Sequence, residues 1–188
     1  MVKIFYSRLE DSTPKHQHEA GLTLLKSALE LELNYKGDIR LDKSETGKPF
    51  LLDFDQFRFN ISHCKGMAVL ALSDGEVGID VEGIRKYRER IVERIFTPEE
   101  KQYFNESMDK DLVFTKIWTA KESFIKNIGL GLSYPMEKIE LEFIQDNILI
   151  KNINDYYIRQ FNIDNFTISL CTKSCTNIKN VEVLKRII

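Results

Sequence analysis

Trp118-Thr-Ala-Lys-Glu-Ser-Phe-Ile-Lys126, followed by Asn127-Ile-Gly-Leu-Gly131, is the stretch around which the chain is organised. At 3.6 residues per turn it reads as an amphipathic helix, with Phe114, Ile117, Trp118, Phe124 and Ile125 as the apolar stripe. Glu122 and Lys126 are four residues apart and share the flank beside that stripe. Taken alone they fit an ordinary surface ion pair, worth a few tenths of a kcal/mol. Lys121 is the odd residue, because its angle places it among the apolar positions. A lysine there must snorkel, pair, or meet an anionic ligand, since burying a bare ammonium is costly.

Working outward, Gly129 and Gly131 end the helix and Pro135 lies beyond it. Upstream, Thr97-Pro-Glu-Glu100 is a capping box with proline at the first helical position, so a separate helix starts there. Downstream, Ile139–Ile144, Ile148–Lys151, Tyr156–Phe161, Phe166–Cys171 and Val181–Leu184 alternate like strands. The first half has the same order. Val2–Tyr6 reads as a strand. Ser12-Thr-Pro14 opens a helix running to about Leu33, with Leu22, Leu25 and Leu29 on one face, and short strands follow from Asp38 to Ile61. Lys15, His16 and His18 at that helix start fit phosphate binding and a solvated polar first turn equally well. Helix first, then strands, in each half points to an α+β fold of two similar, pseudo-twofold lobes, each a helix packed on a small antiparallel sheet. The expected division is residues 1–82 and 83–188, forming one compact unit with the site between the lobes.

Met67–Ser73 is an apolar strand, Asp74-Gly75 reads as a hairpin turn, and Val77–Glu82 as the returning strand. With period two, Ile79 and Val81 point one way while Gly78, Asp80 and Glu82 point the other. Two carboxylates beside a glycine that leaves room fit a divalent cation, and they equally fit a solvent-facing acidic edge. The hairpin would bring Glu82 back near Ser62-His63.

The chain has 188 residues and is 43% hydrophobic and 30% charged, with a net charge of −2. That is an ordinary balance for a soluble protein, with no nucleic-acid footprint overall. No window is apolar enough to span a bilayer, and no signal peptide is recognisable, so the reducing cytoplasm is expected, and a two-lobed chain that supplies both halves of the site is expected to be a monomer. Cys64, Cys171 and Cys175 lack metal-ligand spacing and read as incidental thiols.

In order along the chain, Gly47-Lys-Pro49, Asn60-Ile-Ser-His63, Val77-Gly-Ile-Asp-Val-Glu82, Phe96-Thr-Pro-Glu-Glu100, Trp118-x2-Lys-Glu-Ser-Phe-x-Lys126 and Gly129-Leu-Gly-Leu132 resemble the 4′-phosphopantetheinyl transferases. The resemblance is to the long, surfactin-synthetase-activating type and covers residues 47 to 135. It implies transfer of phosphopantetheine from coenzyme A to a serine of an apo acyl or peptidyl carrier protein, releasing adenosine 3′,5′-bisphosphate. It further implies Mg²⁺ on Asp80, Glu82 and Glu122, with Glu122 also the serine's base and Lys126 offsetting charge on the leaving phosphate. By the same resemblance Lys48, Ser62, His63, Lys121 and Lys126 contact coenzyme A. Arg85, Lys86, Arg88, Arg90 and Arg94, with Ile91, Ile95 and Phe96, would meet an acidic carrier helix. The chain departs from the family at its N-terminus, where Lys15, His16 and His18 stand in place of an arginine- and lysine-rich segment. Two other readings remain for such a residue set: a metal-dependent phosphodiesterase or nuclease, and a non-catalytic carrier-binding protein.

Overall fold

The computed structural model describes residues 1–10, 13–144, 147–173 and 181–186. The chain begins with β1 (Val2–Arg8) and α1 (Pro14–Leu33), capped by the Thr13 hydroxyl accepting from the His16 amide. Next come a small hairpin of β2 (Leu41–Lys43) and β3 (Pro49–Leu51), then β4 (Arg58–Cys64), β5 (Met67–Ser73) and β6 (Val77–Gly83). Three helices follow, α2 (Glu89–Ile95), α3 (Pro98–Glu106) and α4 (Lys110–Ile128). The rest is β7 (Leu141–Ile144), β8 (Asn147–Ile150), β9 (Tyr157–Ile163), β10 (Phe166–Thr172) and β11 (Val181–Arg186). The expected turn at Gln145-Asp146 and the thiol Cys175 lie outside the described residues.

The strands form two main sheets, ordered β11-β1-β5-β4 and β6-β10-β9-β8-β7. They stack face to face through Val2, Ile4, Met67, Val69, Ala71, Val77, Ile79, Val81, Ile168 and Leu170. Period two then sends the other residues of each strand outward. Phe5, Ala68, Leu70 and Leu72 meet Leu24, Leu25, Ala28 and Leu29 of α1. On the far side, α4 packs its Phe114, Ile117, Ala120 and Phe124 into a core that includes Ile158 and Cys171. The result is four layers, α1, sheet, sheet, α4, which is the α+β arrangement of two helix-on-sheet units expected from the sequence.

Three details differ from expectation. First, β5 and β6 are not a hairpin ladder. β5 is flanked on both edges by β1 and β4, so it has no free edge to offer, and β6 crosses to the other sheet and pairs with β10. Secondly, the first sheet is not purely antiparallel, because β11 lies parallel to β1. Thirdly, sheet membership cuts across a division at residues 82 and 83: β6 belongs with the later strands and β11 with the earliest. Among the described residues no helix is long and apolar enough to cross a membrane.

Candidate active site

The edge strands of the two sheets, β4 and β6, lie side by side without a backbone ladder between them. Side chains of β4 replace it. Asn60 Oδ1 accepts from the Ile79 amide at 2.8 Å, and Ser62 Oγ accepts from the Val81 amide at 3.3 Å. Both offsets are nineteen residues, so the strands run parallel in register along this seam. It carries Asp80 past Ser62, whose hydroxyl donates to Asp80 Oδ1 at 2.8 Å.

Helix α4 approaches from the other side of β6. A Cβ on Gly78 would lie 2.1 Å from the Ser123 carbonyl oxygen and 2.3 Å from the Asn127 amide nitrogen. The glycine therefore makes room for helix backbone, not for a cation as its neighbourhood first indicated. This contact sets Lys126 against Asp80. Its ammonium donates to Asp80 Oδ1 at 2.6 Å and to Ser62 Oγ at 2.8 Å. With its donated bond, the Ser62 hydroxyl is then fully used.

Glu82, two residues along the same face of β6, and Glu122, one turn before Lys126, complete the cluster. Burial, then Arg85 and Asp80, act on Glu82; the net effect raises its pKa above the ordinary carboxylate value. Burial raises that of Glu122 too, and the charge of Asp80 adds to it. Arg85 lies 3.8 Å from Glu82 Oε1 and is held over the Trp118 ring, 4.9 Å from its centre.

The structure thus brings Ser62, Asp80, Glu82, Glu122 and Lys126 together. Lys121 is elsewhere. It is wholly buried, and its ammonium donates to the Ile95 carbonyl at 2.7 Å and the Met136 carbonyl at 3.1 Å and pairs with Glu100 Oε2 at 2.7 Å. All three donors are used inside the core, away from the carboxylate cluster: of the options for a lysine on an apolar face, this one pairs. Burial pushes Lys121 down and Glu100 up, with their mutual attraction opposing both shifts. Lys48 also lies outside that cluster. Its ammonium binds Glu76 Oε2 at 2.8 Å, the Val77 carbonyl at 3.1 Å and the Asn127 carbonyl at 2.8 Å, fastening the β2–β3 loop to β6 and to the end of α4.

His63 points to the opposite face of β4 from Ser62. It lines a cleft of about 600 Å³ with His18, Leu22, Lys43, Pro49 and Phe59, and its Nδ1 lies 3.1 Å from Gln17 Oε1. Burial, then the charge of Lys126, lowers its pKa. His18 shares the cleft, as the helix-start reading allowed. The part played by Asn60 was missed, although a polar residue two before Ser62 on a strand face otherwise turned to the core was a usable signal. Glu100 was recognised only as a cap. Its capping-box bond to the Thr97 amide is present, and the same carboxylate also closes the buried pair.

Residues 76–171 match the model of the 4′-phosphopantetheinyl transferase superfamily. The chain belongs to that superfamily. It is 31% identical over 165 residues to 4′-phosphopantetheinyl transferase Sfp of Bacillus subtilis, an alignment covering 79% of this chain and 72% of that protein. It is 36% identical over 137 residues to 4′-phosphopantetheinyl transferase gsp of Aneurinibacillus migulanus, covering 71% of this chain and 57% of the relative. The L-aminoadipate-semialdehyde dehydrogenase-phosphopantetheinyl transferase of Xenopus laevis is 36% identical over 141 residues, covering 65% of this chain and 46% of its own. The phosphopantetheinyl transferase motifs between Val77 and Lys126 all fall inside the matched span.

Among the described residues no three His, Cys, Asp or Glu side chains are gathered closely enough to form a ready-made metal centre. The donor set nevertheless fits a hard divalent cation. Asp80, Glu82 and Glu122 supply only oxygen donors, the kind a hard divalent cation takes.

Proposed function

We propose that this chain transfers 4′-phosphopantetheine from coenzyme A to a serine hydroxyl of an apo acyl or peptidyl carrier protein in a Mg²⁺-dependent reaction, leaving adenosine 3′,5′-bisphosphate. The observation that carries this reading is the cluster at the β4–β6 seam: three carboxylates and one lysine, with Lys126 reaching Asp80 at 2.6 Å. Asp80, Glu82 and Glu122 would hold Mg²⁺, which supplies charge neutralisation and a template at the pyrophosphate. Lys126 meets the developing charge on the leaving phosphate. Glu122 is the carboxylate assigned to the serine proton, with its metal role held above that one because a cation lowers its basicity. His63, which with Ser62 is assigned to the phosphates of coenzyme A, shares its cleft with His18. Phosphoryl-type transfer asks for this positioning and charge neutralisation more than for covalent catalysis.

For the carrier we assign the exposed Lys86, Arg88, Arg90 and Arg94 and the half-buried Ile91. Ile95 and Phe96 are buried in the core and Arg85 is engaged over Trp118, so these three are left out. Because β4, β6 and α4 of one chain supply the whole cluster, we assign a monomer, acting in the cytoplasm without nucleic acid or membrane.

The test is incubation with coenzyme A, Mg²⁺ and apo carrier proteins of both kinds, followed by mass spectrometry. The expected result is a carrier heavier by one phosphopantetheine group, lost with Asp80→Ala while that variant keeps the native circular dichroism. Cleavage of phosphodiesters with no modified carrier would overturn the reading.

A further inference from the structure

Asp80 Oδ1 is the most crowded oxygen of the cluster. Lys126 Nζ lies 2.6 Å from it and the Ser62 hydroxyl 2.8 Å. The carboxylate is held in place: the Asp80 side chain is 8% exposed, and Ser62 is tied in turn to the Val81 amide. The Lys126 side chain is 29% exposed, on a flexible four-carbon stem. The second cation of the cluster, Arg85, is held over Trp118 and faces Glu82. One counter-ion is therefore stacked on a ring, and the other is held only through Asp80 and Ser62.

We propose that Lys126 is the internal counter-ion of this cluster, opposing divalent-cation binding until a phosphate anion draws its ammonium off Asp80. A cation bound by Asp80, Glu82 and Glu122 would share Asp80 with an ammonium already in contact with it, and like charges at that separation repel strongly away from bulk water. An incoming pyrophosphate gives the ammonium a better partner than a carboxylate that also serves Ser62. Coenzyme A and the cation then reinforce each other, each tightening the other by the same factor. A cation alone is held weakly. The inference rests on the proposed assignment of the three carboxylates to a metal, and the experiment separates the two.

Mn²⁺ is titrated into the full chain and into Lys126→Met and Lys126→Arg, without and then with coenzyme A, and free Mn²⁺ is read by electron paramagnetic resonance. Methionine keeps much of the length and removes the charge. Without coenzyme A, Lys126→Met should bind Mn²⁺ at least about tenfold more tightly than the wild type, while Lys126→Arg stays near the wild type. Coenzyme A should tighten Mn²⁺ in the wild type by a factor that shrinks in Lys126→Met. If Lys126→Met binds Mn²⁺ no tighter while the wild type with coenzyme A binds it, the counter-ion role is overturned and the carboxylate site stands. Equal tightening in Lys126→Arg would also overturn it, because side-chain identity and not charge would then matter. If no chain binds Mn²⁺ under either condition, the metal assignment falls and takes this inference with it.

Discussion

Lys121 and Lys126, five residues apart on one helix, have opposite fates, and burial decides which. Lys121 and Glu100 are both fully buried in each other's company, so removing either partner strands a charge where water cannot reach it. Lys121→Ala should therefore cost about 3–5 kcal/mol in urea denaturation, whereas a coenzyme A ligand at the surface would have changed KM with little loss of stability. Glu122 is the converse case, a residue that weakens the fold for the sake of the site. Its pKa is raised in the folded chain, so the folded state holds that proton more tightly than the unfolded one. The stability this contributes is present below the unfolded-state value and is lost as pH rises through the raised one. Glu122→Gln should consequently be more stable than the wild type at neutral pH, on the order of 1 kcal/mol, and inactive. Its advantage should vanish as pH falls below the ordinary carboxylate range, where the wild-type side chain is protonated too. Thermal melts across pH check this, and an advantage that persists into acid would contradict it.

At the scale of elements, the placing of Lys126 and Glu122 depends on how closely α4 lies on β6. Gly78 sets that distance, and the atoms a Cβ would strike are backbone atoms of Ser123 and Asn127, which cannot rotate away. Gly78→Ala should cost about 3 kcal/mol or more, and the folded fraction should lose most of its transferase activity, because α4 must lift its charged edge off Asp80. Denaturation together with activity per folded molecule reads both effects. Much at this scale was legible beforehand. The helical spacing of Glu122 and Lys126 and the strand alternation of Asp80 and Glu82 are local properties, and they put these side chains on the faces the structure gives them. What the sequence could not specify is which edge an element joins. Asp74-Gly75 looks the same whether the next strand returns along β5 or crosses to a second sheet, and only the occupation of both β5 edges decides it. For Lys121 the helical angle said inward but could not name Glu100, which comes from a different helix. Lys48 likewise meets partners at positions 76, 77 and 127, separations that no local pattern encodes.

Across the whole molecule, the two sheets are joined by more than their apolar faces. Asn60 and Ser62 supply side-chain acceptors to β6, Lys48 fastens the β2–β3 loop to β6 and α4, and β11 returns from the second unit to pair with β1. With these ties crossing between the units, each loses buried hydrogen-bond partners if the other unfolds. The chain should therefore unfold in one cooperative step. Trp118 is the single tryptophan and sits on α4, so its fluorescence follows the second unit, whereas far-UV circular dichroism follows the strands and helices of both. The two urea transitions should coincide. Asn60→Ala tests the seam directly, because it leaves the Ile79 amide buried with its acceptor removed, a loss of about 1–3 kcal/mol. Since Asn60 stands on the first sheet and Trp118 on the far side of the second, the informative result is that both transitions move together to lower urea. If circular dichroism shifts while Trp118 fluorescence stays, the units unfold separately and the seam does not couple them.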